Sequence, residues 1–132
     1  MQALTYTSRA AGSMAADEVF RIIEQSARNN PARGVTGFLV YAGDAFLQYV
    51  EGEAGALDAL LGDLGADPRH TGLTILERRT VPSRRCPNWT MKRLAWGTGG
   101  TTALLAQLQH AGLPPETIQQ VSTFVEGRRA AA

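Results

Sequence analysis

Val35-Thr36-Gly37-Phe38-Leu39-Val40-Tyr41, then Gly43-Asp44, then Phe46-Leu47-Gln48-Tyr49-Val50-Glu51-Gly52, decides the fold of this chain. The two apolar, β-branched and aromatic runs are separated by a short turn signal, which is the pattern of a β-hairpin. Upstream, Val19, Ile22, Ile23 and Ala27 recur at helical spacing. Ser13 suits the N-cap, Asp17 and Glu18 suit the positive end of the dipole, and Pro31 stops the helix after about Asn29. A strand over residues 2–8 precedes it. Downstream, Leu57, Leu60, Leu61 and Leu64 mark the inward face of a second helix over 54–64, which Asp67-Pro68 ends. A fourth strand is expected near Leu73–Val81, then a loop rich in Pro and Arg, then a fifth strand over Trp89–Trp96.

The order β-α-β-β-α-β with an added fifth strand is the ferredoxin-like arrangement, an α+β fold with both helices on one sheet face. Gly97-Thr98-Gly99-Gly100 reads as a linker dividing a domain over 1–97 from an extension over 98–132. In that extension Ala103, Leu104, Leu105 and Leu108 form one apolar helical stretch. Ile118, Val121, Phe124 and Val125 form another after Pro114-Pro115. These two short helices are expected to fold back over the uncovered face, with Arg128–Ala132 frayed.

The bulk numbers narrow the function. A chain of 132 residues that is 44% hydrophobic supports one core. It has no apolar run near the ~18 residues of a membrane span and no basic-then-apolar leader. The single cysteine, Cys86, suits a reducing compartment, so a cytoplasmic location is expected. Thirteen basic against twelve acidic residues, a net charge of +1, argue against nucleic acid as partner. The Arg78-Arg79 and Arg84-Arg85 cluster reads as a solvated face. Two histidines and one cysteine give no basis for a metal site.

Two polar residues stand out on apolar strands. Alternation places Gln48 with Phe46 and Val50, and Tyr6 with Leu4. An amide without partners on such a face would cost about 1–3 kcal/mol, so each residue has a backbone partner, a solvated face or a ligand.

Read together and in order, six segments resemble the BLUF family of blue-light sensors. They are Leu4-Thr5-Tyr6-Thr7-Ser8, Ser26-Ala27-Arg28-Asn29-Asn30, Val35–Tyr41, Phe46–Gly52, Asp67-Pro68-Arg69-His70 and Trp89-Thr90-Met91. The resemblance implies a photoreceptor binding FAD, with FMN as the alternative flavin. It implies that Tyr6 donates an electron and that Gln48 is the amide switching hydrogen bonds between Tyr6 and the flavin. It further implies that Asn30, with Asn29 beside it, holds the polar edge of the ring, and that Ile22 presses on its plane. Arg69 and His70 are implied near the pyrimidine or ribityl-phosphate side. Trp89 and Met91 are implied as the residues that move when the signal forms. Cys86 departs from the aromatic residue expected before Pro87-Asn88-Trp89-Thr90-Met91. No enzymatic activity is expected: the output would be contact with a downstream signalling protein or a homo-oligomer, through residues 101–126. A flavin-free interaction module of the same fold is the competing reading. A small hydrolase of acylphosphatase type lacks its phosphate loop after the first strand.

Overall fold

The structure, a computed structural model, describes residues 1–10, 21, 25, 33–42, 45–66, 70–95 and 100–131. Five strands form one sheet: β1 (Gln2–Ala10), β2 (Thr36–Ala42), β3 (Ala45–Gly52), β4 (His70–Thr80) and β5 (Thr90–Ala95). Their order is β4-β1-β3-β2-β5. β3 runs antiparallel to both β1 and β2, and β5 adds to β2 in parallel. This is the α+β ferredoxin-like sheet with a fifth strand. The β2–β3 hairpin closes with Ala42 opposite Ala45. Of the helix expected over 13–29, Arg21 and Gln25 are helical, and the remainder lies outside the described residues. β4 begins at His70, three residues before the expected start, because β1 runs on to Ala10 and pairs it with His70.

Two apolar layers sandwich the sheet. On one face Leu4, Tyr6, Val35, Leu39, Phe46 and Val50 pack with Leu57 and Leu60 of α1 (Ala54–Ala66). Arg78 fixes that helix to the sheet, reaching the Asp58 carboxylate at 2.8 Å and the Gln2 side chain at 2.8 Å. On the other face Phe38, Val40, Leu47, Tyr49 and Leu94 pack with α2 (Gly100–His110) and α3 (Pro115–Ala131). Leu104, Leu108, Val121 and Val125 are buried apolar residues of those helices, and Thr117 of α3 is buried as well. α3 continues through residues 128–131, where fraying was expected. No helix among the described residues is long and apolar enough to cross a membrane.

The turn between the cap helices is specified locally. Gly112 takes φ +78°, the Leu113 N–H donates to the Leu108 carbonyl at 3.2 Å and the Gly112 N–H to Gln109 at 3.0 Å. This double closure ends α2 with Leu113 buried beneath it. Gly37 matters for a different reason. Its φ is +154°, and a Cβ there would lie 1.9 Å from the Tyr49 carbonyl oxygen. Its N–H donates to the Trp89 carbonyl at 2.7 Å where β5 joins the sheet. Gly37→Ala therefore has to separate β2 from β3. We expect a loss of roughly 2–4 kcal/mol in denaturant unfolding, against a near-neutral Gly62→Ala on an open helix face.

Candidate functional site

A single register row crosses the whole sheet. Ile75 of β4 pairs with Tyr6, Tyr6 with Gln48, Gln48 with Leu39, and Leu39 with Arg93 of β5. The phenol and the amide are thus direct cross-strand neighbours on the α1 face, the spacing at which side chains on paired strands meet. Gln48 is 3% exposed and Tyr6 is fully buried. At its β4 end the row opens to solvent, where Ile75 is 49% exposed.

The Tyr6 hydroxyl is the anomaly of this face. It is buried and has no hydrogen-bond partner among the described residues, although buried polar atoms are almost always paired. Desolvation pushes its pKa well above that of an ordinary tyrosine, so the phenol keeps its proton at every physiological pH. The site therefore holds a neutral O–H donor beside an amide, facing an apolar layer built from Leu4, Leu39, Phe46, Val50 and Leu57. A flat, mainly apolar heteroaromatic with hydrogen-bonding atoms on one edge fits that donor set.

Of the other expected site residues, Ile22, Asn29, Asn30 and Arg69 lie outside the described residues. His70 opens β4 and Met91 belongs to β5, each described in its backbone only. Trp89 is not on the Tyr6–Gln48 face. Its ring meets Phe38 edge-on at 6.1 Å between centroids, packs against the layer under the cap, and carries Lys92 Nζ 4.8 Å from its centre. Cys86 is buried in that same layer, and burial with the nearby Glu51 carboxylate pushes its thiol up to about 12.

The basic cluster is only partly a solvated face. Arg84 crosses from the β4–β5 segment to donate to the Thr36 hydroxyl at 2.8 Å and to the Glu51 and Gly34 carbonyls at 3.0 and 2.5 Å. Sequence reasoning also passed over Glu51 itself. It is 0% exposed, and its Oε2 accepts the Tyr49 O–H at 2.8 Å and the Arg85 N–H at 2.6 Å. Its Oε1 accepts the Cys86 N–H at 2.8 Å. The signal was present: alternation with Leu47 and Tyr49 puts residue 51 on a buried face.

Residues 1–92 match the BLUF family, described as sensors of blue light using FAD, and the chain belongs to that family. BlrB, a BLUF protein in its dark-state structure, superposes with a TM-score of 0.72 at 28% identity, covering 99% of this chain and 96% of that one. BlrP1 of Klebsiella pneumoniae, solved with FMN and cyclic diGMP, gives a TM-score of 0.79 at 25% identity over 95% of this chain and 34% of its own. The photoactivated adenylate cyclase subunit beta of Euglena longa is 31% identical over 104 residues, 78% of this chain but 11% of that protein. The chain thus spans about a tenth of the cyclase's length.

Proposed function

We propose that this protein is a blue-light photoreceptor that binds FAD non-covalently and signals by protein–protein contact. Tyr6 is its electron and proton donor, and Gln48 is the amide whose hydrogen bonds rearrange. The observation that carries this reading is the fully buried Tyr6 hydroxyl, without a hydrogen-bond partner among the described residues, standing in register beside Gln48. A flavin supplies light absorption and, once excited, oxidising power. The chain supplies the rest. Tyr6 holds its proton because burial disfavours the phenolate, so an electron leaving the ring releases a proton toward the amide next to it. Gln48 bears both a donor and an acceptor, so a reoriented amide changes the hydrogen-bond pattern without any covalent change. By family likeness Asn30 and Asn29 hold the polar edge of the ring and Ile22 its plane. Arg69 and His70 serve the pyrimidine or ribityl-phosphate side, and Trp89 and Met91 shift as β5 responds. The contact that passes the signal on, to a downstream protein or a second copy, belongs to the cap over residues 101–126.

The purified protein is expected to be yellow, to release intact flavin on denaturation, and to show a small red shift under blue light that reverses in the dark. Mass spectrometry of the released cofactor distinguishes FAD from FMN. A colourless protein that takes up neither flavin on refolding overturns the reading.

A further inference from the structure

Glu51 is a buried carboxylate for which the proposed photochemistry has no use. It sits three residues beyond Gln48 on β3 and, by alternation, on the opposite face, beside Leu47 and Tyr49. Its two backbone donors belong to another segment, while the Thr36 hydroxyl of β2 reaches its Oε1 at 3.4 Å. The Arg85 and Cys86 N–H groups, from the irregular stretch between β4 and β5, end on its two oxygens at 2.6 and 2.8 Å. The remaining partner is the hydroxyl of Tyr49, the residue next to Gln48 in the chain. Charge-assisted bonds of this kind in a dry layer are strong and directional.

The segment so held is the one that leads to β5. The Trp89 N–H donates to the Cys86 carbonyl at 3.2 Å, and the Trp89 carbonyl accepts the Gly37 N–H at 2.7 Å. Arg84 adds a second tie on the same side, through the Glu51 carbonyl. Beyond the clamp, Arg85, Trp89 and Lys92 face Gln107 and His110 of α2 across a cleft of ≈ 300 Å³. A continuous hydrogen-bonded path therefore runs from the strand that carries Gln48 to the segment that lines the cleft beside the cap.

We propose that Glu51 is a positioning residue that locks the β4–β5 segment to β3, so that rearrangement at Gln48 is read out as release of residues 85–89 from the cap side. This rests on the photoreceptor reading of Tyr6 and Gln48. The segment has two states: backbone N–H groups of Arg85 and Cys86 seated on the carboxylate, or withdrawn from it. A shift of β3 against β1 and β2 biases that choice, and the cleft beside α2 changes shape with it.

Cys86 is the native probe. In the seated state its thiol is 3% exposed and remains protonated near neutral pH, so alkylation by iodoacetamide at pH 8 is slow. Illumination of the flavin-loaded protein should raise the alkylation rate about tenfold as the segment opens locally. In Glu51→Gln the side-chain shape is kept but one acceptor oxygen becomes an NH₂ group that faces an N–H or the Tyr49 O–H. We expect Cys86 to be reactive already in the dark, with little further gain in light, while the red shift of the flavin persists. Backbone hydrogen exchange in the unsubstituted protein supplies the second measurement and needs no variant. The Arg85 and Cys86 amides should exchange about tenfold faster in light, with those of α1 unchanged. A red shift without faster exchange at these two amides overturns the role of Glu51 alone, as does a Glu51→Gln variant whose light-dependent labelling matches the unsubstituted protein. Absence of the red shift itself overturns the photoreceptor reading and this inference with it.

Discussion

Tyr6→Phe is expected to abolish the light-induced red shift while flavin remains bound. The substitution keeps the ring that fills the α1-side layer with Leu4, Leu39 and Phe46, so the volume of the pocket does not change. It removes the group proposed to give up an electron and a proton. Gln48→Leu should have the same spectral outcome for a different reason, since it keeps the phenol and removes the amide proposed to reorient. The two variants separate on stability. The Tyr6 hydroxyl has no partner among the described residues, so deleting it from flavin-free protein relieves a desolvation cost of about 1–3 kcal/mol instead of breaking a bond. Thermal unfolding of flavin-free Tyr6→Phe should therefore be unchanged or raised. Light-minus-dark absorption tests the first claim, and a red shift of full amplitude in Tyr6→Phe would falsify the role of the phenol.

That Tyr6 and Gln48 each lie on an apolar strand face was legible in the sequence, and the reasons are local. The hairpin from Val35 to Gly52 carries its own turn, and a two-residue connection fixes register, so Gln48 lands on a known face. Tyr6 shares a face with Leu4 by alternation alone. That Tyr6 stands opposite Gln48 was not legible, because β1 and β3 are separated by a helix and a strand and their register is set by tertiary packing. β4 shows the same limit: irregularities between Thr5 and Tyr6 and between Thr7 and Arg9 break the phase of its pairing with β1. Trp89 could not be assigned a face, since it precedes β5 in an irregular segment and the β2–β5 register slips between Gly37 and Phe38. Glu51 was missed although its face was readable. A carboxylate on an apolar strand becomes meaningful only when the donors that satisfy it are known, and these come from residues 85 and 86.

Leu108→Glu should be among the most destabilising single changes in the cap. Leu108 is 0% exposed and packs in the layer formed by Phe38, Leu47, Tyr49 and Val121, so it is a core residue and not an exposed part of an output surface. Truncating such a leucine to alanine costs about 2–5 kcal/mol. A carboxylate in the same place meets no cation among the described residues of that layer and must be protonated, solvated or expelled, each at a further cost of several kcal/mol. The total, roughly 5 kcal/mol or more, approaches the whole stability of an ordinary domain. At this chain length it corresponds to a fall in Tm of at least ~10 °C. Gln107→Glu, one residue earlier on the exposed side of α2, should stay within about 0.5 kcal/mol of the parent. Phe124→Glu should fall between them, because Phe124 is only partly buried where α3 meets Leu76 of β4. The Tyr6–Gln48 face lies across the sheet from this layer, so at low temperature Leu108→Glu should lose the cap before it loses flavin. Calorimetry of the three variants checks the order. Equal melting of Leu108→Glu and Gln107→Glu would mean that α2 is not seated on the sheet through Leu108.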